Sequence, residues 1–241
     1  MRYDLAINIT WALPFPMRCV PRFSRERSLG RSIVAALLAL LISTLAFGQD
    51  ATSELLEAAK KGDLDGVRSA LGKGTSINSK NADGRTALME AAYWGRVDAA
   101  KLLLEKSADL NAKDNENHTA LIDAAANGHT SVVQALLEKG ADLNIKTKEG
   151  ACALTEAASN NRTEVIKTLL EKGAGVDDKD KDGRTALILA AYWGHADAAQ
   201  ALIDKGANVN AKDKYGYSPL MYAKRENHQN VADLLSKAGA K

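Results

Sequence analysis

The chain has little cysteine, little net charge and no apolar run long enough to span a bilayer, and each shortage removes a class of protein. Only Cys19 and Cys152 occur in 241 residues. If the N-terminal segment that carries Cys19 is removed, one thiol remains and no intramolecular disulfide can form, so a disulfide-stapled scaffold is excluded. Cys152 stands where neighbouring segments place Thr at a helix start, and it reads as a passive small buried residue. The formal charge of +2 hides an asymmetry. Residues 1–48 hold six Arg against Asp4 and Glu26, which leaves 26 basic and 28 acidic residues in 49–241. That near-neutral region offers no basic field of the kind nucleic acid requires. The apolar run from Ile33 to Phe47 is 15 residues long, short of the about 20 a membrane-spanning helix needs. Catalytic signatures are missing as well. There is no G-x-S-x-G, no H-E-x-x-H, no phosphate-cradling Gly loop and no C-x-x-C, so neither an enzyme nor a cofactor is expected.

The same apolar run has a different meaning in context. Arg18, Arg22, Arg25, Arg27 and Arg31 precede it, and Ala46-Phe47-Gly48 follows, with small residues at −3 and −1 from a cut after Gly48. A basic region, a short apolar region and small residues form a secretory signal peptide. No Cys stands directly after the run, which speaks against a lipoprotein. Residues 1–16, with Trp11 and Pro14-Phe15-Pro16, fit no signal pattern, so Met17 is read as the true start of an ordinary signal. The mature chain is then 49–241, periplasmic or secreted, with no membrane association after cleavage. An uncleaved anchor is the alternative.

What fills the mature region is repetition. Asp83–Leu104 (DGRTALMEAAYWGRVDAAKLLL) returns nearly unchanged at Asp182–Ile203 (DGRTALILAAYWGHADAAQALI), 99 residues later. Stepping by 33 from Thr86 reaches Thr119, Cys152, Thr185 and Ser218; Ala-Leu follows the first four and Pro219-Leu220 the last. A strict period of this kind decides architecture before any propensity argument. Each unit opens on a turn: Asp83-Gly84, Glu116-Asn117, Glu149-Gly150 and Asp182-Gly183. Thr86, Thr119 and Thr185 then suit a helix cap. A short Ala-rich inner helix ends at Gly95, Gly128, Asn161 or Gly194. An outer helix follows with apolar pairs four apart, such as Val132-Val133 and Leu136-Leu137.

These words resemble the ankyrin repeat, whose pattern contains D-G-x-T-P-L-H-x-A-A-x-x-G-H, paired apolar residues and G-A-D-x-N. The resemblance covers 51–241 and implies an all-α repeat solenoid of helix-turn-helix units joined by β-hairpin-like loops. Six units are expected: a degenerate N-terminal cap at 51–80, internal repeats at 81–113, 114–146, 147–179 and 180–212, and a C-terminal cap at 213–241. Lys224, Asn227 and Ser236 stand in the last unit where earlier units have Ala, Gly and an apolar residue. Polar end units keep a solenoid soluble.

Family members usually recognise protein partners through hairpin tips and the exposed, concave face of the inner helices. Carried over by position, the contact residues are Arg85, Tyr93, Trp94, His118, Asn127, Lys148, Ser159, Asn160, Arg184, Tyr192, Trp193, Tyr215 and Tyr217. The sharpest expectation concerns Tyr93-Trp94 and Tyr192-Trp193, because other units carry no aromatic pair there; packing on neighbouring hairpins is the alternative. His129, His195 and His228 share one repeat position and read as framework rather than metal ligands, while His118 sits alone on a hairpin. Glu90, Asp123 and Glu156 share another position. They read as a solvated face, with a docking strip for a basic partner as the functional alternative. A hydrolase is the competing class: helices about 8–10 Å apart bring such carboxylates only to the upper range of an inverting pair. The leading reading is a non-enzymatic, monomeric, periplasmic protein-binding scaffold. Its alternatives are a secreted effector that binds host proteins, or an accessory to an oxidative-stress enzyme such as catalase, which some similar exported bacterial proteins suggest by analogy.

Overall fold

The structure, a computed structural model, describes residues 51–241. The signal-type segment, with the proposed start at Met17, Cys19 and the cut after Gly48, lies outside the described residues. Helix α1 covers residues 51–61. It is followed by α2 (Leu64–Gly72), α3 (Ala87–Tyr93), α4 (Val97–Glu105), α5 (Ala120–Asn127), α6 (Thr130–Glu138), α7 (Ala153–Ser159) and α8 (Thr163–Glu171). The series continues with α9 (Ala186–Trp193), α10 (Ala196–Asp204), α11 (Pro219–Arg225) and α12 (Gln229–Lys237). The described residues contain no strand. The odd-numbered helices from α3 to α11 form an inner row, each packed on the next, and α2 to α12 form an outer row behind them. The architecture is an all-helical repeat solenoid.

Local chemistry starts and stops each inner helix. The hydroxyls of Thr86, Thr119, Thr185 and Ser218 accept from the backbone N–H three residues on, at 3.3–3.4 Å. Such a cap contributes about 1 kcal/mol. Cys152 cannot do this well, and Thr155 compensates. Its Oγ1 accepts from the Cys152 N–H at 2.8 Å and donates to the Cys152 carbonyl at 2.9 Å. At the other end, positive φ at Gly95, Gly128, Asn161, Gly194 and Asn227 turns the chain into the outer helix. Fully buried alanines, such as Ala91, Ala124, Ala157 and Ala190, let inner helices approach closely. Val132, Val133 and Leu136, then Val165, Ile166 and Leu169, fill the space behind them. Cys152 is free and buried among them.

Hairpins project from the inner row and are knit to one another by single backbone bonds. The N–H groups of Asn115, Lys148, Lys181 and Lys214 donate to the carbonyls of Asp83, Glu116, Glu149 and Asp182 at 2.9–3.1 Å. Each hairpin is braced from inside. Oδ1 of Asn81, Asp114, Asp180 and Asp213 accepts two N–H groups, two and four residues on. Thr147 holds that place in the third hairpin, its Oγ1 accepting from the Ala151 N–H at 3.2 Å.

Gly150 makes the dependence on turn chemistry testable. Its φ is +79°, and an added Cβ would lie 2.6 Å from the Lys181 backbone nitrogen. That nitrogen donates the bond tying two hairpins together, so it cannot retreat freely. Gly150→Ala is expected to lower unfolding free energy by about 1–3 kcal/mol, from the left-handed backbone and the displaced hairpin. Gly150→Asn should cost less, because Asn tolerates this region and Asn117 holds the equivalent position at φ +63°. Urea denaturation of both variants checks the order; equal losses would contradict it.

Candidate functional site

Each inner helix presents three residues toward the open face, at positions that recur every 33 residues. The first row is Glu90, Asp123, Glu156, Leu189 and Tyr222; the second is Tyr93, Ala126, Ser159, Tyr192 and Arg225; the third is Trp94, Asn127, Asn160, Trp193 and Glu226. Hairpin residues Arg85, His118, Ala151, Arg184 and Tyr217 line one side, and Asp83, Glu116, Glu149, Asp182 and Tyr215 form the tips. Twelve of the thirteen sequence-derived contact residues occupy these repeat positions, and Lys148 lies in the hairpin just before the tip residue Glu149.

They are not equally available. Trp94 and Trp193 are 44% and 54% exposed, and Tyr93, Tyr215 and Tyr217 are exposed too. Tyr93 meets Trp94 edge-on with ring centroids 5.3 Å apart, and Tyr192 meets Trp193 edge-on at 4.9 Å. Lys60 lies over the Trp94 ring at 5.4 Å. Tyr192 is half-buried because its ring is also edge-on to Tyr222, at 5.5 Å. Lys148 is exposed and pairs loosely with Glu116 at 3.4 Å. Asn127 and Asn160 donate from Nδ2 to the carbonyls of Asp123 and Glu156 at 2.9 Å, closing the ends of their own helices. Ser159 is half-buried and contributes its carbonyl to a framework bond.

That bond belongs to a series. His129, His195 and His228 place Nε2 3.0 Å from the carbonyls of Tyr93, Ser159 and Tyr192, each 36 residues earlier. Arg96 and Arg162 do the same from Nε to Lys60 and Ala126, at 2.9 and 3.0 Å. The expectation of framework histidines fits this geometry. Arg96 and Arg162 were missed, although they occupy the same repeat position and offer a long-reaching N–H.

The acidic row overturns two readings. Asp123 is not on a solvated face: it is 6% exposed. Arg85, whose side chain is 18% exposed, binds Glu90 from Nε at 2.6 Å and Asp123 from Nη2 at 2.9 Å, with Asp114 at 3.6 Å. His118 is not alone either, since its Nδ1 lies 3.5 Å from Asp114. One guanidinium thus serves three carboxylates. Burial wins over the single shared cation, and the Asp123 carboxyl is pushed up to about 6; Arg85 opposes the shift and Asp114 adds to it. Burial raises Glu156 too, against the pull of His118. At the far end, burial and its bond to Asp213 push the Tyr222 hydroxyl up to about 12. That hydroxyl donates to Asp213 Oδ2 at 2.6 Å. Arg225 lies 5.3 Å from the Tyr217 ring centroid and 4.8 Å from that of Tyr222. Among the described residues, no group of His, Cys, Asp and Glu is arranged to hold a metal ion.

A recurring frame, with side chains that change from unit to unit on one face, is the geometry of a recognition stack. A family model described as ankyrin repeats (3 copies) matches residues 55–147 and 154–241. The chain belongs to the ankyrin repeat family. No curated protein matches it. Ankyrin repeats are general protein–protein interaction modules, which makes this chain a binding scaffold with a protein partner. The family is typically non-enzymatic. Within this ankyrin stack the frame is carried by the Thr caps, the positive-φ residues and the His/Arg series, so the remaining face positions are free to differ.

Asp123 gives the face a measurable pH signature. Its folded value, about 6, exceeds the unfolded value of about 3.9. Between these the folded chain holds more protons, so this group's contribution is fully present below about pH 4 and is lost as pH rises through 6. The loss is on the order of 2–3 kcal/mol. Asp123→Asn keeps an acceptor for Arg85 but cannot titrate. Relative to that variant, the wild type should gain stability on going from pH 7.5 to 4.5; parallel curves would contradict the assignment.

Proposed function

We propose that the chain is a non-catalytic, exported scaffold that binds its protein partner with the inner-helix face and hairpin tips. The observation that carries the reading is the exposure of Trp94 and Trp193 on that one face. Their side chains are large and apolar, and each lies beside a second ring rather than inside the core. Trp and Tyr dominate the energetics of protein interfaces, and three steps of about 8–10 Å put the two anchors about 25–30 Å apart. A standard interface of about 800 Å² per partner spans that distance. The other face residues, from Arg85 and His118 through Lys148 to Tyr217, supply the polar rim.

The location rests on the sequence: a basic region, a short apolar run and Ala46-Phe47-Gly48. Export followed by cleavage after Gly48 would deliver residues 49–241 to the periplasm. No described helix is long and apolar enough to cross a membrane. The test joins the two parts. Cell fractionation with N-terminal sequencing should find a chain beginning at Gln49 in the periplasmic fraction. In-cell crosslinking should then join that chain to a specific protein. A chain that stays in the cytoplasm overturns the location. Repeated absence of a crosslinked protein, together with turnover of a small substrate, overturns the scaffold.

A further inference from the structure

The Tyr93–Trp94 and Tyr192–Trp193 pairs stand in segments of nearly identical sequence, yet different chemistry holds them. In the first, one guanidinium gathers the contacts. Arg85 donates from Nε to Glu90 at 2.6 Å and from Nη2 to Asp123 at 2.9 Å, with the Met89 carbonyl 3.4 Å from Nη2. Its central carbon lies 5.4 Å from the centroid of the Tyr93 ring, and that ring meets Trp94 edge-on. A line of contacts therefore runs from a carboxylate on α5, through one cation, to an exposed indole at the end of α3.

In the second segment the line is missing. Leu189 and Tyr222 stand where the first has Glu90 and Asp123. With no carboxylate at either position, Arg184 turns to its own hairpin and binds Asp180 at 2.8 Å and Asp182 at 3.1 Å. Tyr192 leans on the Tyr222 ring instead.

A proton can break the first line at Asp123, the one charged residue of α5. Glu90 of α3 shares its cation, which comes from the hairpin before that helix. The hairpin before α5 adds Asp114 and His118, and α7 adds Glu156 in the same row. Outer helix α6, also packed on α5, carries a single charged residue, Glu138, at its last position. Ionised Asp123 makes a charge-assisted bond that fixes the guanidinium from the α5 side. Neutral Asp123 loses that strength, and the remaining short bond of Arg85 is to Glu90. Tyr93 then keeps a cation that is tethered on one side only.

Resting on the protein-binding reading above, we propose that Arg85 positions the Tyr93–Trp94 pair for the partner, and that the charge state of Asp123 decides whether it does so. Arg85 and Asp123 are positioning residues that act through Tyr93. The Trp193 anchor has no such control, so the two anchors respond differently to acid.

Fluorescence of single-Trp chains tests this without a partner. Trp11→Phe with Trp193→Phe leaves Trp94 as the emitter; Trp11→Phe with Trp94→Phe leaves Trp193. As pH is lowered from 7.5 to 4.5, anisotropy of Trp94 should fall and its quenching by acrylamide should rise, in one step with a midpoint of about 6, where burial has pushed the Asp123 carboxyl. Far-UV circular dichroism should stay constant across the step. Asp123→Asn should abolish it, His118→Gln should keep it, and Trp193 should show none. The proposal is overturned by a flat Trp94 profile, by a step that survives Asp123→Asn or vanishes in His118→Gln, or by the same step from Trp193. If Asp123→Asn does not fold, the contrast between the two emitters and the His118→Gln profile decide. A flat profile would remove this device and leave the binding face standing. A step in a chain that crosslinks to no protein would leave the device and remove the scaffold.

Discussion

The double variant Trp94→Ala/Trp193→Ala is expected to capture its partner about a thousandfold more weakly than the wild-type chain. Each indole, exposed in the free chain, is an anchor whose truncation costs about 2 kcal/mol, or about thirtyfold in affinity. The two sit about 25–30 Å apart, three units along the stack. Residues that far apart with no shared partner act independently, so the losses add. Stability should barely change, because neither ring reaches the core. Trp94 touches Tyr93 and Lys60, and Trp193 touches Tyr192. Edge-on and cation–π contacts of this kind are worth about 1 kcal/mol. Binding and calorimetry on the same preparation separate the readings. Early melting with normal binding of the folded fraction would make both pairs packing elements.

Leu136→Ala should do the opposite, leaving the face chemically intact while breaking the stack beneath it. Leu136 is fully buried on α6, which packs on α4 and α8. Removing its side chain costs the transfer of the lost carbons plus the cavity left behind, about 2–5 kcal/mol. In a repeat stack each unit is stabilised by its neighbours, so a lesion in the middle weakens coupling between the two halves. Urea unfolding should then show a lower midpoint and a broader or split transition. Leu234→Ala, at a half-buried site on the last helix, should cost less and leave the transition single. Equal costs at the two positions would contradict the nearest-neighbour picture.

The frame was legible in the sequence because a 33-residue period repeats its constraints. Thr86, Thr119 and Thr185 could be read as caps, and Gly95, Gly128, Asn161 and Gly194 as helix ends, since each choice recurs where the backbone demands it. The exposure of Trp94 and Trp193 followed from the same logic: two units carry them and the others do not. Interactions between units were harder to see. Arg85 reaches Asp123 across 38 residues, and only the packing of α3 on α5 turns a row of apparently solvated carboxylates into a half-buried network. Arg96 and Arg162 were obscured by residue type, because they make a bond for which His is the expected donor. Tyr222 shares its row with Glu90, Asp123 and Glu156, so its departure from the acidic pattern was visible. Its bond to Asp213 and its contact with Tyr192 required the fold.

The binding face itself is tested most directly by site-directed photocrosslinking in cells. A photoreactive residue is placed at position 193 on the inner-helix face or, in a second strain, at position 167 on outer helix α8, which is also exposed. A face-binding scaffold yields a specific protein adduct from position 193, and the adduct weakens when Trp94 is replaced with Ala. Position 167 yields background only. An adduct formed from position 167 and not from position 193 would put the partner on the outer helices and contradict the assignment of the face.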